Sequence, residues 1–347
     1  MSTLRVSTIQ NASSSTANLT LDASGNATVG GMVAPAYSFK RNRIINGDMG
    51  VYQRGSVAAT TAGAYTLDRW FVTPTGATVT VTQSTTVIPT GFADSLNVAS
   101  AASVTNVAVR QRIESVNTQD LASGVQVTVS GRIYQSTGSA VTTATIALAA
   151  PTAANNYTST TSAATTYTLP SIANATWTTF SNTFTLTTSC VNGLQVTIAL
   201  GTGLTTGSFN LTGVQLEVGS VATPYERQIY SEQLAQCQRY LPYWKASGAP
   251  QVFAPGYTYA TNTGVAIFQL PVAARVSPTG IVVSAASDFY VQARATTTLS
   301  SMTFSDATPY TGSVTLGVAG TPLTVCDGCR LASATSNAVI YFTGCEL

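Results

Sequence analysis

The 347-residue sequence contains no histidine, and that absence excludes more chemistry than any residue present. Without imidazole there is no Ser-His-Asp triad, no Cys-His pair and none of the usual zinc and iron ligand sets. A carboxylate pair is the main hydrolytic mechanism left. Charge is scarce too: Asp, Glu, Lys and Arg make up 8% of the chain, and Lys40 and Lys245 are its two lysines. A formal net charge of +2, thinly spread, offers no basic patch for a phosphate backbone, so nucleic acid is not an expected partner. No apolar run approaches the roughly 18–20 residues of a membrane span, and MSTLRVSTIQ has no signal-peptide hydrophobic region. Synthesis in a cytoplasm, with no membrane span, is therefore expected.

What remains is strongly β-prone. Hydrophobic residues are 44% of the chain, and Thr, Ser, Ala, Val and Gly dominate, so hydroxyls and amides must cover most of the surface. This length predicts about two or three domains. ATVTVTQ (77–83), VAVRQRIE (107–114), VQVTVSGRIY (125–134), ATIALAA (144–150), TWTTFSNTFTLTT (176–188), LQVTIALG (194–201) and FNLTGVQLEV (209–218) alternate apolar and polar side chains. With turn residues between them, these runs predict a two-sheet sandwich over 36–222. Further runs, among them VAIFQLPVAARV, FYVQARA, SVTLGVAG and NAVIYFTGCEL, predict a second, distal β-sandwich over 246–347. The predicted fold is thus all-β, two sandwich domains joined by a short helix.

That joint is 223–245. Tyr230, Leu234, Cys237 and Leu241 recur at intervals of four, three and four, which places them on one helical face at heptad spacing, with Ser231 as cap and Pro242 as stop. A helix this short is marginal alone and must pack on something. Two partners fit: two further copies of itself around a trimer axis, or its own sandwich. The N-terminal stretch 1–35 alternates as well, with Leu4 and Val6, then Leu19 and Leu21, and LTLD-ASGN-ATVG reads as strand, turn, strand. So short a stretch cannot bury a core. It is either a polar tail or an attachment segment that folds on neighbouring chains, with Gly30, Gly31 and Pro35 as its flexible joint.

Three separated motifs carry a resemblance: NRIINGDMGVYQRG at 42–55 with YTLDRWF at 65–71, LEVGSVATPYERQIYSEQLAQCQRY at 216–240, and FQLPVAARVSPTG at 268–280. In that order they resemble bacteriophage tail-fibre and related virion proteins whose carbohydrate-module-like jelly-roll domain opens on N-x-x-x-N-G-D and closes on L-E-x-G-x-x-A-T-P-[FY]-E. The resemblance implies a structural virion component without enzymatic activity or cofactor, located in the tail and typically a homotrimer. Its N-terminus would attach to other tail or baseplate proteins, and its distal domain would contribute to recognition of a host-surface glycan. A baseplate or tail adaptor without receptor role is the second reading, a polysaccharide depolymerase the third.

Individual residues then sort by chemistry. Aromatic residues on distal turns are the cheapest sugar platforms, so Tyr243, Trp244, Tyr257, Tyr259, Tyr290 and Tyr310 are the receptor-binding candidates, with core packing the competing role for each. Trp70, beside Asp68 and Arg69, reads as a buried aromatic next to a charge pair, or else as a sugar-stacking ring. Asp48 and Glu217 are the calcium candidates that modules of this shape suggest, although Met49 and Gly50 stand where one oxygen ligand is expected. Asp288, Asp306 and Asp327 each sit in a turn-like setting and form no catalytic motif. Among the cysteines, Cys326 and Cys329 flank Asp327-Gly328, the preferred two-residue hairpin turn, so they are expected to face each other across its neck. They stay as thiols or join Cys345 in a disulfide; zinc would need four ligands.

Overall fold

Runs rich in threonine and valine form strands because branched side chains pack well on a pleated surface, and a two-residue period assigns each side chain to one face. The structure is a computed structural model, and it describes residues 6–10, 19–21, 27–29, 32–33, 40–201 and 204–347. At the N-terminus β1 (Thr8–Ile9), β2 (Leu19–Leu21), β3 (Ala27–Val29) and β4 (Met32–Val33) pair in that order into an antiparallel sheet. The strand-turn-strand expected there is the β2–β3 pair, with Leu19 opposite Val29. Leu4 and the joint at Gly30, Gly31 and Pro35 lie outside the described residues.

The chain divides into two compact units, Met1–Arg227 and Gln228–Leu347, so the expected joint is split between them. The first contains β5 (Val57–Ala59), β6 (Ala64–Tyr65), β7 (Phe71–Thr75), β8 (Val79–Ser84), β9 (Ser95–Ala99), β10 (Asn106–Ile113) and β11 (Gln126–Gln135). Then come β12 (Thr145–Ala153), β13 (Asn156–Ser162), β14 (Tyr167–Thr168), β15 (Thr178–Thr185), β16 (Leu194–Ala199) and β17 (Ser208–Val218). One sheet runs β13-β12-β16-β10-β7-β6 with β14 beside β12; the other runs β15-β11-β17-β9-β8-β5. Consecutive strands cross between sheets, as from β10 to β11 to β12 and from β15 to β16 to β17, which gives a jelly-roll-like sandwich. Inward positions such as Val109, Val129, Ile133, Ile146, Val196 and Ile198 share one core with Trp70. Each such aliphatic contributes about 1.5–3 kcal/mol by leaving water.

Trp70 belongs wholly to that core: it is 0% exposed, and its indole Nε1 donates to the Asn46 carbonyl at 2.8 Å. β17 is buried on both faces. Phe209 and Leu211 point inward, and a bulge at Gly213 (φ +62°) resets the alternation so that Val214 and Leu216 do as well. Gln215 and Glu217, on the other side, are also buried.

The second unit contains α1 (Tyr230–Gln238), β18 (Tyr243–Lys245), β19 (Val252–Ala260), β20 (Thr263–Gln269), β21 (Gly280–Val283) and β22 (Phe289–Gln292). It ends with β23 (Thr296–Ala307), β24 (Thr311–Val318), β25 (Gly328–Ser333) and β26 (Val339–Thr343). Six strands close into a barrel, β19-β20-β24-β23-β22-β25, and β18-β26-β21 form a separate sheet. Phe342 of that sheet packs edge-on against Phe268 (5.6 Å) and Phe304 (6.4 Å) of the barrel, so barrel and sheet share one core.

The helix departs from the expected heptad face. It ends at Gln238, leaving Leu241 beyond its last turn, and its N-cap is Ile229 with no side-chain cap, so Ser231 does not cap it. Cys237 and Leu241 are buried within a single chain, Leu234 is half-buried, and Tyr230 is 59% exposed. Cys237 and Leu241, buried within the single chain, are therefore not available to a trimer axis, whereas Tyr230 and Leu234 remain accessible. The buried side of the helix is Gln233 and Cys237.

Candidate functional site

The opening and closing motifs of the first unit clasp each other. Asn42 Oδ1 accepts from the backbone N–H of Ile44 (2.9 Å) and Leu216 (3.1 Å), while its backbone N–H donates to Glu226 Oε2 at 2.7 Å. Gln111 brackets Ile45 through both its backbone N–H and its carbonyl. Glu217 accepts from Thr223 N, Thr223 Oγ1 and Gln215 Nε2 at 2.8, 2.8 and 2.9 Å, which folds 219–227 back over β17. Gln215 Oε1 accepts from Glu226 N at 2.8 Å. These polar side chains are buried because their partners are built into the turn that covers them.

The two carboxylate oxygens of Glu217, one of the calcium candidates, thus accept three hydrogen bonds within the turn. Asp48 instead meets Tyr225, whose hydroxyl bonds to its backbone, and Thr212 Oγ1, which donates to its carbonyl at 3.1 Å. Among the described residues no three of Asp, Glu and Cys gather as metal ligands.

The clasp carries Thr223, Pro224, Tyr225 and Arg227 to the edge of a groove of about 540 Å³ on the outer face of β15, β11 and β17. Its floor is Ser130, Gly131 and Gly213, flanked by Thr179 and Ser181. The two glycines make room on opposite faces of the sheet, Gly213 for Phe92 on the outside and Gly131 for the buried Phe180 in the core. A Cβ on Gly213 would lie 2.6 Å from the Phe92 ring, and one on Gly131 would lie 2.6 Å from the Phe180 ring. Phe92 therefore settles over Gly213, and its centroid is 5.4 Å from that of Tyr225. Two guanidinium groups lie over the same Phe92 ring, Arg132 at 5.3 Å and Arg227 at 5.0 Å. Arg132 Nη1 also donates to the Thr90 carbonyl at 3.3 Å, and Arg227 Nη2 to the Gly91 carbonyl. Two residues along β11 on the same face, Tyr134 pairs with Trp177, their centroids 5.5 Å apart. Burial, and secondarily the charge of Asp48, pushes the Tyr225 hydroxyl far above its usual range, so the ring enters the groove neutral.

None of these groove residues was among the sequence candidates. Arg132 and Tyr134 occupy alternate outward positions of GRIY, a pattern open to sequence reading, whereas Phe92 arrives from a loop with no periodicity.

The predicted receptor aromatics separate into different environments. Trp244 is half-buried and packs against the second core, edge-on to Phe268 (5.1 Å) and Phe342 (5.8 Å), the packing role that competes with receptor contact for this residue. Tyr243 stacks on Tyr341 at 5.8 Å. Tyr257 and Tyr259 leave the same face of β19 and are about half exposed, Tyr310 is exposed at a turn, and Tyr290 is half-buried on β22.

The acidic and cysteine candidates are likewise held in structural contacts. Asp288 accepts from Ala285 N and Thr335 Oγ1, and hydrogen bonds from Ser284 and Thr335 hold its carboxyl below the usual range. Asp306 accepts from Ser313, and Asp327 pairs with Arg294 at 2.8 Å. Asp327-Gly328 is not a hairpin tip: β24 before it pairs with β20 and β23, while β25 after it pairs with β19 and β22. Thr258 pins the loop instead, accepting from Cys326 N at 2.7 Å through its carbonyl. Cys326, Cys329 and Cys345 are all free thiols; Cys326 is exposed, and burial pushes Cys345 up to about 11.

No protein-family model matches the chain, and no curated protein does. Several solved structures are similar in fold at low identity. The enzymatically active domain of tailspike protein 4 of bacteriophage CBA120 is 14% identical, with a TM-score of 0.36; the match covers 55% of this chain and 23% of that one. The CBM22-1 xylan-binding domain of Paenibacillus barcinonensis Xyn10C is 12% identical, with a TM-score of 0.31 over 53% of this chain and 100% of that one. The C-terminal family 22 carbohydrate binding module of Clostridium thermocellum Xyn10B is 13% identical, with a TM-score of 0.32 over 48% of this chain and 95% of that one.

Proposed function

We propose that the chain is a structural component of a phage tail, a trimeric fibre that contributes to host-surface recognition, and that the groove of its first unit binds the host glycan. The observation that carries this reading is the groove: the half-buried rings of Phe92 and Tyr225 beside hydroxyls on a hydrogen-bonded sheet. Sugar rings present apolar C–H faces that stack on aromatics and hydroxyls that pair with polar side chains, so both surfaces have a counterpart there. No residue lining the groove is acidic, which favours holding a glycan over cleaving it, since glycoside hydrolysis uses two carboxylates. The tail assignment rests on the three ordered motifs. Segment 1–35 is then the attachment element, and its exposed Val6, Ile9 and Leu21 are the apolar surface that neighbouring chains would cover.

Binding of the full chain to host cells and to their purified surface polysaccharide tests the glycan reading, with Phe92→Ala expected to weaken it. Light scattering tests the trimer. A chain that binds no host surface would instead be a baseplate or tail adaptor, and release of reducing ends would make it a depolymerase.

A further inference from the structure

Building on the glycan-binding reading, we propose that the groove selects acidic glycans, with Arg132 and Arg227 together holding the carboxylate of a uronic acid residue. Both guanidinium groups lie near one phenyl ring, 5.3 and 5.0 Å from its centroid, and both residues line the groove, so it carries two like charges around that ring. Neither is ion-paired among the described residues: the polar partner of Arg132 is the Thr90 carbonyl and that of Arg227 is the Gly91 carbonyl. Carboxylates are not in short supply for this purpose elsewhere, since Arg43 pairs with Asp120 at 2.7 Å and Arg294 with Asp327 at 2.8 Å. A guanidinium has five N–H donors in a rigid fork that matches a carboxylate, and each of these two uses one on a loop carbonyl. Stacking on Phe92 fixes the planes and leaves the N–H edges available. An anion in the groove offsets these like charges and gains charge-assisted hydrogen bonds. The neighbouring Tyr225 ring and the hydroxyls of Ser130, Thr179 and Ser181 then meet the rest of the sugar.

Titration calorimetry on the full chain tests this with polygalacturonate, alginate and hyaluronate against methyl-esterified polygalacturonate, xylan and galactan, and with polyglutamate as a charge control. At least one acidic glycan should bind, its affinity should fall with added salt, and the neutral polymers should bind at least about tenfold more weakly. Arg132→Gln and Arg227→Gln should each weaken the acidic ligand roughly tenfold without changing the melting temperature. Phe92→Ala should weaken acidic and neutral ligands alike. Neutral glycans bound as tightly as acidic ones, or acidic binding indifferent to both arginines, would sink the acid selectivity and leave glycan binding standing. If no polysaccharide binds, or polyglutamate binds as well as the best glycan, the glycan reading itself falls.

Discussion

In the first unit Phe92, Tyr134, Trp177 and Tyr225 lie half-buried on the outside of one sheet, whereas in the second Phe268, Phe289 and Phe342 are at most 1% exposed. Both arrangements are made possible by a glycine within a strand. Gly213 of β17 clears space for Phe92 on the outer face, while a Cβ on Gly312 of β24 would lie 2.4 Å from the Phe342 ring in the core. A strand glycine lets a ring approach the backbone closely, and the face on which it does so determines whether the ring stabilises the fold or lines a groove. The aromatics that the closed barrel leaves outside, Tyr257, Tyr259 and Tyr310, have no such seat.

The largest expected effect is on the inner arrangement. Phe342→Ala should cost about 3–5 kcal/mol, because it leaves a cavity facing Trp244, Phe268 and Phe304. Urea unfolding followed by tryptophan fluorescence measures this, and the groove of the molecules that remain folded should keep its affinity. A loss of affinity as large as the loss of stability would break the distinction between the two units. Next comes the clasp. Asn42→Ala leaves the Ile44 and Leu216 amides without their buried acceptor, which should cost about 2–3 kcal/mol. Because the clasp positions Tyr225 and Arg227, this variant should also bind more weakly. An Asn42→Ala protein as stable as the parent would show that the turn is held by other contacts.

Smaller still is Gly213→Ala. A left-handed backbone and a displaced Phe92 should cost about 1–2 kcal/mol, with a clear fall in affinity. The equivalent exposed pair, Tyr257→Ala with Tyr259→Ala, should change stability by less than about 0.5 kcal/mol and leave host binding intact. Loss of host-cell binding in that double variant, with Phe92→Ala unaffected, would move the receptor face to the second unit.

The sequence carried the β architecture further than it carried the groove. Two-residue alternation is a local property, so β8, β10, β11, β12, β16 and β17 were all legible from it. Two of the three motifs that carry the resemblance form the clasp, in which buried Asn42 binds the backbone of Leu216 and Gln215 donates to Glu217. The groove was not legible because it is assembled from distant pieces: a loop at 90–92, one face of β11 and the turn after β17. The helix misled for the opposite reason. Heptad spacing over 230–241 assumed a helix that long, whereas α1 stops at Gln238 and Leu241 is buried outside it. Trp244 was similarly ambiguous, since an aromatic at a turn and an aromatic entering a core look alike until the sheet order is known.

The smallest effect is a pH dependence confined to alkaline conditions. The Tyr225 hydroxyl is raised above its ordinary value of 10.0 chiefly by burial, and Tyr157, also buried, shifts the same way. Both groups therefore hold their protons more tightly in the folded chain than in the unfolded one. Well below 10.0 both states are protonated and stability does not depend on these tyrosines; as pH rises past 10.0 the unfolded chain loses protons first, so stability falls. The melting temperature should thus be flat near neutrality and decline above that point. Tyr225→Phe keeps the ring beside Phe92 but removes the ionisable oxygen, so the decline should become shallower without vanishing, Tyr157 still contributing. A slope unchanged by Tyr225→Phe would mean that the hydroxyl reaches water instead of the Asp48 backbone, and the groove wall would then be looser than its ring contacts imply.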